Sequence, residues 1–183
     1  MPRAGLDPAA VVAAGAALAD EVGFANLTMG LLAERLGVRT PSLYKHVAGQ
    51  DDLNRRIATL AMDEAAAAIG TAIQGYAGRD ALAAAARAFR GYVLAHPGRY
   101  AATIGPVPDP ALLAAGDRAL EALRAVLRAY PIEPENVDHA LRTVRSLLHG
   151  YATLQSAGGF QWSADVDQSF EWLIDFADRG LRS

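Results

Sequence analysis

Residues 28–47 read Thr28-Met29-Gly30-Leu31-Leu32-Ala33-Glu34-Arg35-Leu36-Gly37-Val38-Arg39-Thr40-Pro41-Ser42-Leu43-Tyr44-Lys45-His46-Val47. Two helical segments of roughly nine and eight residues are separated by Gly37-Val38-Arg39, the length of break that a helix-turn-helix requires. Ala33 is small where the second helix must cross closely, and Gly37 can adopt the positive φ that turns the chain sharply. Val38 is placed to plug the turn. Leu32, Leu36, Leu43 and Val47 are spaced to share a core with Leu18 and Val22 of the preceding helix. The outward face of the third helix is then Arg39, Thr40, Ser42, Lys45 and His46, flanked by Tyr44. These side chains carry donors suited to phosphates and to base edges in a major groove. From spacing alone, an ordinary αα-corner with a solvated polar face satisfies the same pattern.

The rest of the 183-residue chain supports an all-helical reading. Hydrophobic residues make up 52% and charged residues 20%, enough apolar material for a core. Aromatics are only 7%, while alanine fills 40 positions, so helices built from small side chains are expected. With no cysteine, a disulfide framework, a thiolate zinc site and a cysteine nucleophile are all excluded. No apolar run of about 18 residues is present, which excludes a transmembrane helix of the usual kind. Ala9–Ala19 has the length of a signal-peptide core, but Asp7 and Pro8 interrupt its charged flank and it leads into a patterned helix, so a cytoplasmic location is expected. The net charge is −3, and residues 1–60 are neutral, with six basic and six acidic side chains. Sixteen arginines and one lysine supply the positive charge, and that lysine, Lys45, lies on the third helix.

Capping signals divide the chain further. Asp7-Pro8, Thr40-Pro41 and Asp109-Pro110 each set a capping side chain before a proline at a helix start, and Glu133-Pro134 is a weaker version. Gly23, Gly37, His96-Pro97-Gly98 and Tyr130-Pro131 mark helix ends. Helices are predicted over 8–22, 28–36, 40–47, 51–74, 79–96, 110–130, 134–157 and 164–180. A loop with at most a short helix is predicted over 97–109, and a second break over 157–163. The helices are short before residue 50 and long and amphipathic after it, which predicts domains at 1–50 and 51–183.

Taken together, the Ala-rich first helix closing at Gly23-Phe24, Leu27-Thr28-Met29, the run Leu32 to Val38 and the run Pro41 to Val47 resemble the N-terminal domain of TetR-type transcriptional regulators. The likeness covers residues 8–54, about a quarter of the chain. It implies a three-helix DNA-binding domain in which Thr28, Tyr44 and His46 contact DNA phosphates. Arg39, Thr40, Ser42 and Lys45 would lie nearest the bases. The chain departs from the family pattern at Val47 and Gln50, where an aromatic and a lysine are common, so one phosphate charge is missing. Arg55 and Arg56 are candidates to compensate, and a solvated helix face accounts for them equally well.

One small domain reads few base pairs, and pairing about a two-fold axis on a palindromic operator is the usual route to affinity. The apolar stripes Val137, Leu141, Val144, Leu148, Tyr151, Leu154 and Val166, Phe170, Leu173, Ile174, Ala177 suit a bundle formed by two copies. Leu141, Val144, Leu148, Phe170, Leu173, Ile174 and Ala177 are the interface candidates, although such stripes also describe a protomer's own core. Residues 141–160 resemble, more loosely, the ligand-sensing C-terminal domain of a subset of these regulators, in which a His-Gly pair, here His149-Gly150, recurs in mid-helix. A pocket is expected among the helices predicted at 51–74, 79–96, 110–130 and 134–157. Met62, Phe89, Tyr92, His96, Leu120, Arg145 and His149 are its candidate wall, with Tyr100 and Phe160 from the flanking breaks.

The function these features imply is a homodimeric repressor that releases its operator on binding a small apolar or aromatic effector. The alternative is a DNA-binding regulator without such a ligand, controlled by a protein partner or by abundance. An enzyme is not expected, because His46, His96, His139 and His149 are scattered and no HExxH, paired Glu-x-x-His or Gly-x-Ser-x-Gly occurs. Neither a cofactor nor a metal ion is expected.

Overall fold

A computed structural model of the chain describes residues 6–104 and 110–183. Among the described residues there are nine α-helices, two single-turn 3-10 helices and no strand. The helices are α1 (Pro8–Val22), α2 (Met29–Leu36), α3 (Thr40–Leu43), α4 (Gln50–Ala72), α5 (Gly78–Ala95), α6 (Pro97–Ala101), α7 (Pro110–Leu127), α8 (Val137–Ser156) and α9 (Val166–Arg182). Each of the eight predicted helices is present, and α6 is the short helix allowed for in the 97–109 break. Asp109, the expected cap of α7, lies outside the described residues.

Local chemistry sets the ends. Asp7 caps α1 as expected, its Oδ1 accepting the Ala10 N–H at 2.7 Å, and Pro8 follows in the first turn. Thr40 does not cap α3. Arg39, with extended backbone (φ −82, ψ 142), is the capping position and provides no side-chain bond. The Arg39 carbonyl accepts the Ser42 N–H at 2.8 Å, which draws Thr40 into the helix itself. Helix α3 also closes at Leu43 rather than Val47. The N–H groups of His46 and Val47 both donate to the Leu43 carbonyl, at 2.9 and 3.0 Å, making a tight turn of the last four residues.

The chain divides into two compact units, Met1–Met62 with His96–Ala114, and Asp63–Ala95 with Ala115–Ser183. The first unit has its own core. Val11, Ala16 and Ala19 of α1, Leu32 and Ala33 of α2, Leu43, Val47, and Leu53 and Ile57 of α4 are all buried there. Leu18 is buried in it too, and Val22, Leu36 and Val38 pack against it. Helix α6 belongs to this unit through a close approach to α1. A Cβ on Gly98 would stand 1.8 Å from the Ala19 carbonyl oxygen, so only glycine lets the two backbones meet as they do. Beside it the Asp20 carboxylate accepts the Arg99 backbone N–H and Arg99 Nε, each at 2.8 Å, with His96 Nδ1 at 3.3 Å.

In the second unit, Leu82, Ala85 and Ala86 of α5 pack with Leu123 and Leu127 of α7, Leu141, Val144 and Leu148 of α8, and Phe170 and Ile174 of α9. Three ion pairs join α5 to α9 in antiparallel order: Arg79–Asp175, Arg87–Glu171 and Arg90–Asp167. Arg90 also lies over the Phe170 ring, 4.7 Å from its centroid. At the end of α9, Asp178 accepts from Tyr130 Oη at 2.8 Å and from Arg182 Nε at 2.9 Å.

Candidate functional site

The helix-turn-helix is built from the turn outward. Thr28 has extended backbone and caps α2, its Oγ1 accepting the Leu31 N–H at 3.2 Å. At the other end Gly37 is left-handed (φ 64, ψ 33). Its N–H donates to the Glu34 carbonyl and the Val38 N–H to that of Ala33, each at 3.0 Å, which satisfies the last carbonyls of the helix. A Cβ at Gly37 would meet nothing within 4 Å, so conformation rather than space requires glycine there. Leu43, the last residue of α3, and Val47, at the close of the turn that follows it, are buried and pin this segment to the core. That anchoring leaves Arg39, Tyr44 and Lys45 exposed and Thr40, Ser42 and His46 half-buried on the remaining face. An ion pair between Arg35 and Glu21 ties α2 to α1.

At the start of α4, Gln50 occupies the position where the family resemblance would set a lysine, and its Nε2 donates to Asn54 Oδ1 at 2.8 Å. Asp52 Oδ2 accepts the Ala48 N–H at 2.9 Å, closing the connection between α3 and α4. That backbone bond, and then the Arg56 guanidinium, hold the Asp52 carboxyl below its ordinary range. Arg56 and Arg55 both pair with Asp52, at 3.0 and 3.6 Å, so the charge of these two arginines is partly offset within the protein.

The candidate ligand-binding residues divide between the two units. Met62, His96 and Tyr100 belong to the first. Tyr100 is buried there, and His96 is half-buried against Asp20. Phe89, Tyr92, Leu120, Arg145, His149 and Phe160 belong to the second. Tyr92 is buried and donates to Glu64 Oε2 at 2.8 Å, a polar pair that periodicity alone could not reveal. Phe89 packs against the core of its unit, and Leu120 is half-buried. His149 is half-buried, and burial, then the Arg145 guanidinium, lower the pKa of its imidazole. Arg145 itself is exposed. Phe160 sits apart from these, its ring 4.6 Å from that of Tyr151 where the chain turns from α8 into α9. Among the described residues, no group of three or more His, Asp or Glu is placed to hold a metal ion, and no helix is long and apolar enough to cross a membrane.

The stripes read as interface candidates face inward. Leu141, Val144, Leu148, Phe170, Ile174 and Ala177 are buried in the chain's own core, and only Leu173 is half-exposed. The opposite sides of the same two helices, with the connection between them, carry a second apolar set. Leu154, Trp162, Trp172 and Phe176 are 52%, 85%, 63% and 50% exposed, and Trp172 stacks on Phe176 at 5.5 Å. With Leu147, Tyr151, Phe160 and Leu173, the two tryptophans and Phe176 line a hollow of about 340 Å³. The spacing of Trp172 and Phe176, one turn apart and off the Phe170–Ile174 stripe, is the sequence signal for a helix apolar on two sides.

Comparison with known proteins matches these features. Residues 11–57 match the tetR family of bacterial regulatory proteins, and residues 82–177 match the tetracyclin repressor-like C-terminal domain. The chain is 34% identical over 158 residues to the uncharacterized HTH-type transcriptional regulator Rv0681 of Mycobacterium tuberculosis, covering 85% of this chain and 72% of that protein. A variant TetR of Acinetobacter baumannii, solved in complex with minocycline, is 28% identical with a TM-score of 0.74 over 98% of this chain and 99% of its own. BioQ, solved with its natural double-stranded DNA operator, is 26% identical with a TM-score of 0.67 over 95% of this chain and 99% of its own. A helix-turn-helix match at one end, a C-terminal match over about half the chain and relatives along most of its length point the same way: the chain is not an enzyme but belongs to the TetR family of transcriptional regulators.

Proposed function

We propose that the chain acts in the cytoplasm as a homodimeric repressor whose palindromic operator is released when a small apolar or aromatic effector binds. One observation carries the reading: buried Leu43 and Val47 fasten α3 and the turn after it, which leaves Arg39, Tyr44 and Lys45 exposed and Thr40, Ser42 and His46 half-buried on the outer face. On that face Arg39, Thr40, Ser42 and Lys45 read base edges, while Thr28, Tyr44 and His46 hold phosphates. The DNA-binding part corresponds to residues 1–50 and the effector and pairing part to 51–183. Two solved relatives support the two halves of the reading. BioQ was solved on double-stranded operator DNA and the Acinetobacter baumannii TetR variant with minocycline.

In the effector-binding part, Phe89 and Tyr92 supply rings, Leu120 an aliphatic side chain and His149 an imidazole to the ligand. Arg145 marks its outer edge, whereas Met62, His96 and Tyr100 belong to the other unit. Phe160 belongs to pairing instead. Pairing uses the outward sides of α8 and α9, through Leu147, Leu154, Trp172, Leu173 and Phe176, because the inward sides are occupied by the protomer core. The effector works by binding the operator-free conformation more tightly than the operator-bound one.

The test is binding of the purified protein to the DNA upstream of its own gene, at physiological salt, with scrambled DNA as competitor and Lys45→Ala alongside. Selective binding that Lys45→Ala weakens by about tenfold or more supports the reading. Equal affinity for scrambled DNA, or an unaffected variant, counts against this placement of α3.

A further inference from the structure

We infer that Trp162 is the anchor by which two copies of this chain pair: in the homodimer each protomer's Trp162 indole seats against the partner's Trp172 and Phe176. The inference rests on the homodimer reading above and adds the residue on which pairing depends. The chain has two tryptophans, and both lie at the hollow between the α8–α9 connection and α9. Four of the ten large hydrophobic residues exposed among the described residues, Leu154, Trp162, Trp172 and Phe176, belong to these two helices and their connection. Soluble monomers rarely leave so contiguous an apolar patch open to water.

The connection that carries Trp162 is tied down on both sides of it. Gly158 is left-handed (φ +69), and a Cβ on Gly159 would stand 3.0 Å from the Leu154 carbonyl oxygen, so the chain folds back tightly at the end of α8. Phe160 is then fixed on the Tyr151 ring at 4.6 Å. Tyr151 Oη in turn donates to the Val166 carbonyl, which holds the far end of the connection. Trp162 lies between these two fixed points and is 85% exposed. Tying both ends of the connection lowers the backbone freedom that docking must remove, which favours an anchor there.

The chemistry of the hollow selects an apolar ring. Its polar groups are already satisfied inside the protomer: Tyr151 Oη by Val166, and Ser169 Oγ by the Asp165 carbonyl at 2.9 Å. The remaining lining is aromatic and aliphatic, with the two indole N–H groups as its other polar atoms. A second copy supplies the matching ring at the same concentration, and two-fold symmetry makes the contact twice. Tryptophans in desolvated pockets are the side chains whose truncation costs interfaces most. The hollow is also continuous with the pairing face, since Leu147 and Leu173 line both.

The test uses the full chain. Sedimentation equilibrium over a dilution series gives the dimer dissociation constant for the wild type, Trp162→Ala and Trp162→Phe. Trp162→Ala should raise it by about 100-fold or more, because two anchors are lost per dimer, with Trp162→Phe between. A second measurement follows Trp162 with Trp172 left in place, as the part of the wild-type emission that Trp162→Phe lacks. This part should resist acrylamide in the dimer and become quenchable on dilution. A dissociation constant within about threefold of wild type overturns the anchor while leaving the homodimer standing. A wild type that stays monomeric at every concentration removes the homodimer and the anchor together. If Trp162→Ala fails to fold, the quenching series decides, and equal quenching at all concentrations overturns the inference.

Discussion

Gly98 and Ala19 are separated by less than a methyl group's width: a Cβ built on Gly98 would lie 1.8 Å from the Ala19 carbonyl oxygen and 2.1 Å from its carbonyl carbon. This contact sets α6 onto the last turn of α1, the helix that carries α2 and α3. Because the obstacle is backbone, no rotamer change can relieve it.

Gly98→Ala should therefore destabilise the protein by about 3 kcal/mol or more, beyond the usual range of overpacking. Gly15 provides the control. Its Cβ would stand 3.1 and 3.2 Å from the Leu53 and Ile57 methyls, which can move by a few tenths of an ångström. Relief of about 1 kcal/mol from better helix propensity offsets that crowding, so Gly15→Ala should stay within about 1 kcal/mol of wild type. Urea unfolding of the two variants checks the contrast, and equal midpoints would contradict the close approach.

The Asp20–Arg99 bond should behave as a coupled pair. Asp20 is largely buried and accepts both a backbone N–H and the guanidinium of Arg99, so Asp20→Ala strands two donors. A loss of about 1–3 kcal/mol is expected, with Arg99→Ala costing less because the backbone N–H keeps its acceptor. A double-mutant cycle measured by denaturant unfolding should give a coupling of at least about 0.5 kcal/mol. Strict additivity would show that the two side chains act independently.

Acid should loosen the second unit through α9. The Arg182 bond, and then the Tyr130 hydroxyl, hold the Asp178 carboxyl below its ordinary 3.8, and the Arg87 bond holds Glu171 below 4.5. The folded form therefore binds these protons less readily than the unfolded chain. Their stabilisation is complete above the ordinary values and declines as pH falls through 4.5 and 3.8 toward the lowered ones. Unfolding free energies measured between neutral pH and about pH 3 should fall along this limb. Asp178→Asn should start lower and fall less steeply. A parallel, equally steep acid limb in the variant would assign the effect elsewhere.

Phe170 and Trp172, two residues apart, should respond oppositely to truncation. Phe170 is 1% exposed in the core and Trp172 is 63% exposed outside it. Phe170→Ala should cost about 3–5 kcal/mol of protomer stability. Trp172→Ala should cost less than about 1 kcal/mol when measured at concentrations low enough to dissociate any dimer. Calorimetry or denaturant unfolding under those conditions separates the two, and similar losses would mean that α9 is not packed by its Phe170 side.

The fold class and the DNA-binding half were legible in the chain itself. The signals were local: Asp7 before Pro8, Thr28 before an apolar run, Gly37 where α2 must end, and leucines and valines at helical spacing. Each acts within one or two turns, so its physics does not depend on what lies elsewhere. The family likeness of residues 8–54 had the same local basis. Tertiary structure alone decided which side of each C-terminal helix faces inward. Periodicity reports that α8 and α9 have apolar stripes but not which partner covers them, and the stripe at Phe170 and Ile174 went to the protomer core. The outward set at Trp172 and Phe176 became visible only once that core was filled. The meeting of Gly98 with Ala19, the capture of Arg99 by Asp20 and the pairing of Tyr92 with Glu64 were equally hidden. Each joins residues between 28 and 79 positions apart, and no local rule relates groups at that separation.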